Sequence, residues 1–564
     1  MNKNRNHSAQ ENWSKPESWA WEKIRAGETA NFNKEHGKLD PKSPDGWNES
    51  RQLSSSFLET ILLDEQFRAA LTRKGVRIIG AWFPGPIDLE NATLGHELWL
   101  AHSRFDSNAD LRRLKTENPI SLEGSKFTGK LVMDSADVGG SLWMRGGAEF
   151  GEVDLRSAKI GGQLGMTGSK FTGKLVMGSL EVGVDLFMGG GAEFGEVILL
   201  GAKIGDQLDM TGSKFTGELV MDSLEVGGSL LMRDGAEFGK VILVGAKIGG
   251  QLSMNGSKFA GKLNMDSLEV GSSLFMRGAK FAEQVNLIFA SIGSNLDLSG
   301  TKLESLNLTG TQITGELRFG SGQHPKLEWG EPLRLILRNT VVEALQDREE
   351  SWKGVQLELD GFTYSRLGGF GAEAGRDMAS RRAQWFIDWL AKDKSFSPQP
   401  YQQLASVLRA AGQTTKANAV LYAGRERERG EAQGFKCLGM TMLSFKRLGM
   451  TMLKVTIGYG LGGRYFRALW WVAGFVLLGL AILSVAPWLA DIPQSKDIFW
   501  IFACSLDLLL PIVELNKEHS EFVMETLGSA PATAWVKYYF YVHKVVGWVL
   551  GFFLMAGLAG LTQK

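Results

Sequence analysis

From Leu131 to Leu296 a Leu or Val recurs every 11 residues, 16 times in succession, and a Met or Leu follows two positions later each time. Leu131/Met133, Leu142/Met144 and Val153/Leu155 begin the series. A spacing of two puts both side chains on one face of an extended strand. An 11-residue apolar period could also describe a supercoiled helix. The 35 glycines between residues 124 and 300 argue against that, since each costs a helix interior about 1 kcal/mol relative to Ala. The pattern predicts short strands joined at Gly-rich corners and wound into a β-helix, a solenoid of stacked small units.

Charge fixes the size of one coil. The position before each Val or Ile reads Asp137, Lys159, Glu181, Lys203, Glu225, Lys247, Glu269, alternating in sign every 22 residues. With 22 residues per coil, opposite charges stack about 4.8 Å apart and attract mildly. With 44, lysine would stack on lysine. Phe127, Phe150, Phe171, Phe194, Phe215, Phe238, Phe259 and Phe281 fall about 22 apart and predict an aromatic column. Val138, Ile160, Val182 and their successors to Ile292 predict an aliphatic column opposite. GSKFTGKLVMDS, GSKFTGKLVMGS, GSKFTGELVMDS and NGSKFAGKLNMDS open four near-copies of a 44-residue repeat, each two coils. Weaker coils extend the solenoid over residues 76–366, giving roughly 13 coils and a rod roughly 60 Å long.

Other patterns flank this region. Residues 1–50 are polar and read as a poorly ordered N-terminus. Residues 51–75 read as a helical cap, with Ser56 and Glu59 as a capping box, Gly75 as its stop, and Phe57, Ile61 and Leu62 covering the first coil. After a Gly-rich joint at 367–371, residues 376–456 read as an α-helical hairpin and a juxtamembrane region. MASRRAQWFIDWLAK, PYQQLASVLRAAG and TTKANAVLYAGRERERG each predict a helix, with Pro400 and Gly412 bounding the second. The last two resemble one TPR-type hairpin, too few for an array, so packing on the solenoid end is expected before partner docking. A tandem copy, FKCLGMTML at 435–443 and FKRLGMTML at 445–453, mixes apolar and basic residues. It suits either an anionic lipid surface or an ordinary packed helix.

Residues 457–564 read as a transmembrane module. The run 468–489 carries no charge and is long enough to span a bilayer. Trp470, Trp471 and Trp488 stand near its ends, as in an aromatic belt. A second run, 545–561, is preceded by Trp535, Tyr538, Tyr539 and Tyr541. Lys436, Lys446, Arg447, Lys454, Arg464 and Arg467 precede the first span, whereas segment 490–544 holds four Lys and seven Asp or Glu. The positive-inside rule then puts the solenoid in the cytoplasm. Segment 498–515 is apolar but carries Asp507, Pro511 and Glu514. It reads as an amphipathic helix on the far membrane surface, a re-entrant pore-like segment, or a third buried segment. Intramembrane acids are functional candidates by default, yet no carbonyl-filter sequence accompanies these.

Composition narrows the chemistry. Lys+Arg and Asp+Glu are 62 each, so net charge is zero and nucleic acid is not an expected partner. Two cysteines, Cys437 and Cys504, make neither a disulfide framework nor a metal set. The polar start contains no signal-peptide core. Gly458, Gly460 and Gly463 satisfy G-x-G-x-x-G, but the next 20 residues enter the apolar run and hold no acid. A turn at the bilayer surface is the stronger reading. The Met column suits core filling rather than soft-metal ligation. No catalytic set, metal or cofactor site emerges otherwise, so an enzyme is not the expectation.

Read end to end, GVRIIGAWFPGPIDL, the G-x-L-x-M coils, LDGFTYSRL, PYQQLASVLRAAGQTTKANAVL, the IGYG junction and SLDLLLPIVEL resemble the bacterial membrane proteins often labelled "membrane-associated oxidoreductase". These are similar to pentapeptide-repeat proteins. The resemblance covers roughly residues 45–564. It implies a right-handed parallel β-helix, a bacterial inner membrane and, from the label, a cofactor site. The combined expectation is a membrane-anchored cytoplasmic solenoid acting as a protein-interaction scaffold. Lys159, Glu181, Lys203, Glu225, Lys247 and Glu269 are its candidate surface, with lipid and a protein as partners. A homo-oligomer through the transmembrane module is a further partner expectation, and the alternatives are a two-span channel-like membrane protein gated by the solenoid and a membrane-associated oxidoreductase.

Overall fold

The structure is a computed structural model that describes residues 10, 12–320, 328–370, 378–431, 440–493, 496–510 and 515–562, without the side chains of 329–333, 440–445 and 557–562. Two compact units result, 1–381 with 388–395, and 382–387 with 396–564.

The first unit is a parallel β-solenoid of about 13 turns and about 22 residues per coil. Each regular coil carries four two-residue strands, for example Lys126–Phe127, Leu131–Val132, Asp137–Val138 and Leu142–Trp143. Alternate rungs of the 11-residue ladder belong to different sheets. Leu131 pairs with Val153 in one, Leu142 with Leu164 in the other. Coils are joined by backbone bonds such as Met144 N–H to the Gly165 carbonyl at 2.7 Å. Every ladder Leu, Val and Met between 131 and 298 is buried. Corners follow each rung of the ladder, where Ser, Gly and, once each, Asp234 and Phe289 take positive φ.

The aromatic column is longer than expected. Phe83 and Phe105 continue it, giving ten stacked rings with centroids 4.1–5.2 Å apart. Its uneven sequence spacing has a local cause. Phe127 pairs with Phe150, 23 residues on, and Phe150 with Phe171, 21 on. The corner at Arg145–Gly147 holds one residue more than its counterpart, and the corner at Gly151–Glu152 one fewer. Gly146 and Gly147 both have positive φ, which lets the longer corner turn without a Cβ clash. Between Lys302 and Gln346 the strands lengthen to six to nine residues, and the register shifts between Leu303 and Ser305 and between Ile313 and Glu316.

From residue 12 to residue 50 the chain corrects the expectation of a poorly ordered segment, residues 1–9 and 11 lying outside the described residues. Helix Lys15–Arg25 opens on a capping box between Ser14 and Glu17. Ala20, Trp21 and Ile24 lie on its buried face, and Trp13 meets Phe57 edge-on at 4.9 Å. Strand Ala30–Asn31 pairs in parallel with Ile78–Ile79 and covers the first coil's edge. The polar composition hid a 3.6-period apolar stripe inside this segment. The cap helix Ser55–Leu63 is present, with Phe57, Leu58 and Ile61 fully buried. Its N-cap is Ser54 rather than Ser56. Glu59 instead accepts from the Asp88 N–H at 3.1 Å, and Asp64 ends the helix by capping the turn Glu65–Arg68.

In the second unit, helices Gln399–Ala410 and Thr414–Glu431 pack together, Gly424 leaving room for the Tyr401 ring. Helix Met440–Ile457 follows. The backbone of the tandem copy is described from 440 onward; its residues 435–439, with Cys437, lie outside the described residues. Two helices are long and apolar enough to cross a membrane, over 462–489 and 534–556. The second begins at Ala534, well before the expected 545. Val536, Phe540 and His543 form an inward stripe at helical spacing, so the aromatic lead-in is part of the helix.

Candidate interaction surface and membrane module

The structure brings the six solenoid candidates into one column. Lys159 and Glu181 approach to 3.4 Å, Lys203 and Glu225 to 3.3 Å, Lys247 and Glu269 to 3.5 Å. Their side chains are more than half exposed, so each pair contributes about 0–1 kcal/mol to stability. Their use is therefore as a surface. The column borders an open groove of about 740 Å³ that spans the coils from Asp137 to Gly249. A second concavity of about 600 Å³ begins at Lys247 and reaches Phe289, which is exposed and has φ 55°.

The floor of the groove was missed at the sequence level. Gly139, Gly161, Gly183, Gly205, Gly227 and Gly249 stack one per coil, and Gly271 and Gly293 continue the series. A Cβ on any of these from Gly161 onward would fall on the carbonyl oxygen of the glycine one coil earlier. The result is a strip of bare backbone beside a line of alternating charge. The signal was available: each Lys/Glu–Ile/Val pair is followed by Gly at a strict spacing of 22.

Two further charged columns escaped notice. Lys170–Glu193 at 3.0 Å and Lys258–Glu237 at 2.8 Å belong to one, Lys174–Glu196 at 2.8 Å and Lys240–Glu218 at 2.7 Å to the other. The hydrogen bond and charge of Lys258 hold the Glu237 carboxyl below its usual range. At the irregular end, Asp297 is fully buried and accepts from Arg277 Nε at 2.6 Å, Arg318 at 2.9 Å and the Ser299 N–H at 3.0 Å. Burial pushes its carboxyl up, but the bonds from Ser299 and Arg277 outweigh that and hold it below the usual range.

Gly458 and Gly460 sit in one tight turn and Gly463 in the next, between two helices. Helix Met440–Ile457 precedes them, where a dinucleotide fingerprint needs a strand. Nearby, Glu426 accepts from Lys454 Nζ and from the Tyr459 hydroxyl, each at 2.6 Å. Among the described residues no three His, Cys, Asp or Glu side chains gather into a metal-sized group.

In the membrane module, segment 498–515 contains helix Ile498–Leu509, N-capped by Asp497 and packed against both long helices. Asp507 is buried at the C-terminal end of this helix. It accepts from the Leu515 N–H at 2.7 Å and the Asn516 N–H at 3.2 Å, and His519 Nδ1 lies 2.8 Å away. A carboxylate with three partners closes a turn; it is not free to meet a solute. Pro511 and Glu514 lie outside the described residues. Two residues that drew no attention in the sequence hold the helices together. Ser505 donates to the Val476 carbonyl at 2.9 Å, and His543 Nε2 donates to the Ser505 carbonyl at 3.1 Å, leaving Nδ1 to accept from the Tyr539 hydroxyl at 3.1 Å. A Cβ on Gly479 would meet the Ser505 hydroxyl, and one on Gly547 the Leu509 carbonyl.

Fold and geometry together define a repeat protein with a helical region that contains two membrane-length helices. Compared with known proteins, the chain finds no significant match among family models, curated proteins or solved structures.

Proposed function

We propose that the chain is a membrane-anchored interaction scaffold of the bacterial inner membrane, with a right-handed solenoid on the cytoplasmic side. The observation that carries this reading is the glycine-floored groove beside the alternating Lys/Glu column. Bare backbone lets a partner approach closely, and a charge pattern repeated every two coils offers it the same contact several times over. The basic residues Lys446, Arg447, Lys454, Arg464 and Arg467 before the first long helix support the orientation. The partner is a protein that crosses several coils at once. Affinity then comes from repetition rather than from one hot spot.

The test is site-specific photo-crosslinking of the full-length protein in cells. A crosslinker at Val184, which is exposed at the groove edge, should give one discrete adduct. K203E with K247E should abolish that adduct without lowering expression. A groove position that yields only the background ladder seen from Asp134, on another face, would overturn the reading.

A further inference from the structure

Helix Met440–Ile457 turns an apolar face outward. Over residues 446–457 its side chains divide into two opposed sets. Leu448, Met452 and Val455 are exposed, Met452 by 60%, and at 3.6 residues per turn they fall within an arc of about 60°. Lys446, Met450, Lys454 and Ile457 fall on the opposite side. There Lys446 Nζ meets Glu428 at 2.9 Å and Lys454 Nζ meets Glu426 at 2.6 Å, both acids on helix Thr414–Glu431. Ile457 is buried with Ala468 and Leu550 of the two long helices. The helix thus packs on protein through its mixed face and turns the apolar one away. A helix facing water has the reverse arrangement.

Three observations say what covers the outward face. The Trp471 indole, near the start of the long helix Arg467–Leu489, donates to the Val455 carbonyl at 3.2 Å. This contact joins the strip to the apolar surface of a membrane-length helix, at a tryptophan of the kind that sits at headgroup level. Thr451 and Thr456 flank the strip, and their hydroxyls donate to the Arg447 and Met452 carbonyls at 2.8 and 2.7 Å. Both hydroxyls are satisfied within the helix and tolerate an apolar medium. Lys446 and Lys454 are engaged by Glu428 and Glu426, so this helix meets its surroundings through hydrocarbon rather than through these two charges.

We propose that helix Met440–Ile457 lies in the surface layer of the bilayer, with Leu448, Met452 and Val455 among the lipid acyl chains, and that its opposite face holds helix Thr414–Glu431 at the membrane. The occupant of the strip is lipid. The proposal rests on the reading that the two long helices cross a bilayer, and on nothing about the solenoid's partner.

The experiment uses full-length protein in phosphatidylcholine liposomes, with Cys437→Ser as parent and the fully buried Cys504 retained. A bimane fluorophore is placed on L448C, M452C or V455C. L477C, exposed on the long helix, is the lipid reference, and E431C, exposed at the end of helix Thr414–Glu431, is the water reference. Lipid brominated in its acyl chains should quench the three strip positions at least about half as strongly as Leu477, and aqueous iodide should quench them about fivefold less than Glu431. Adding an anionic lipid should leave the bromine quenching unchanged, because Lys446 and Lys454 are already paired. Iodide quenching equal to that at Glu431 would put the strip in water and overturn the proposal. Protection from both quenchers would mean that protein covers the strip, and would overturn it as well. Iodide reaching Leu477 as readily as Glu431 would overturn the membrane reading itself, and this proposal with it.

Discussion

The solenoid and the membrane module solve the same problem, close packing of backbone, by opposite means. In the solenoid the close approach is made many times, glycine on glycine, once per coil. In the module, among the described residues, it is made at single positions, Gly479 against the Ser505 side chain and Gly547 against the Leu509 backbone. The solenoid thus spreads its stability over nearest-neighbour interfaces. The module concentrates it in a few contacts between helices, where small residues and interhelical hydrogen bonds hold the bundle. The repeated Leu/Met, Phe and charge columns are legible from sequence, whereas the single contacts at Gly479 and Gly547 are not.

Breaking the aromatic column should have the largest effect. Phe171 has a stacked ring on each side, so Phe171→Ala should cost about 3–5 kcal/mol in urea unfolding of the solenoid. Equal loss from the end ring, Phe83→Ala, would argue against a nearest-neighbour column. Next comes Asp297→Asn, expected to cost about 3 kcal/mol because it leaves Arg277 and Arg318 without their shared carboxylate. The same group sets a pH dependence. Its folded-state pKa is depressed, so its contribution is present at neutral pH and fades as pH falls below the ordinary carboxylate value. A urea midpoint that does not drop between pH 6 and about pH 3.5, or drops equally in Asp297→Asn, would remove Asp297 as the cause.

A smaller loss is expected in the module. Gly547→Val should lower thermal stability in detergent by about 1–3 kcal/mol through overpacking against Leu509, whereas Gly463→Ala, with open space around it, should leave stability unchanged. Below that lies Met210→Leu, a volume-conserving swap in a uniform column, at under about 1.5 kcal/mol. Smallest is Lys203→Glu, within about 1 kcal/mol in the same assay because its pair with Glu225 is exposed. A large destabilisation there would mean that the charge column holds the coils together and is not chiefly a surface for others.

The legibility of the sequence follows the same division. The coil length could be read because Asp137, Lys159 and Glu181 occupy equivalent positions, and one wrong period would have stacked like charges. The Phe and Val/Ile columns followed from that register. The glycine floor was equally periodic but carries no side chain, so a search for chemistry passed over it. Ser56 is the expected cap because it alone of Ser54–Ser56 begins an S-x-x-E box, and only the Asp88 N–H, 29 residues away, shows what Glu59 does. Asp507 drew attention as a lone acid in an apolar run. Its partners Leu515, Asn516 and His519 are backbone and ring groups that no spacing rule reveals. The early start of the second long helix was obscured by Lys537, His543 and Lys544, polar residues that average hydropathy penalises although His543 faces inward.

The uneven corners at Gly146–Gly147 and Gly151 constrain how such a chain can change length. Alternate coils are not interchangeable: one carries the long corner and its Phe arrives a residue late, and its charge column has the opposite sign. Removing a single coil of 22 residues would leave Lys115 beneath Lys159 and put the phenylalanines out of register. Removing 44 would set Lys115 beneath Glu181 and restore both. Slippage or recombination within the gene would therefore keep the charge and phenylalanine columns in phase only when it adds or deletes coils in pairs, so the regular part of the solenoid is a ruler graduated in twos.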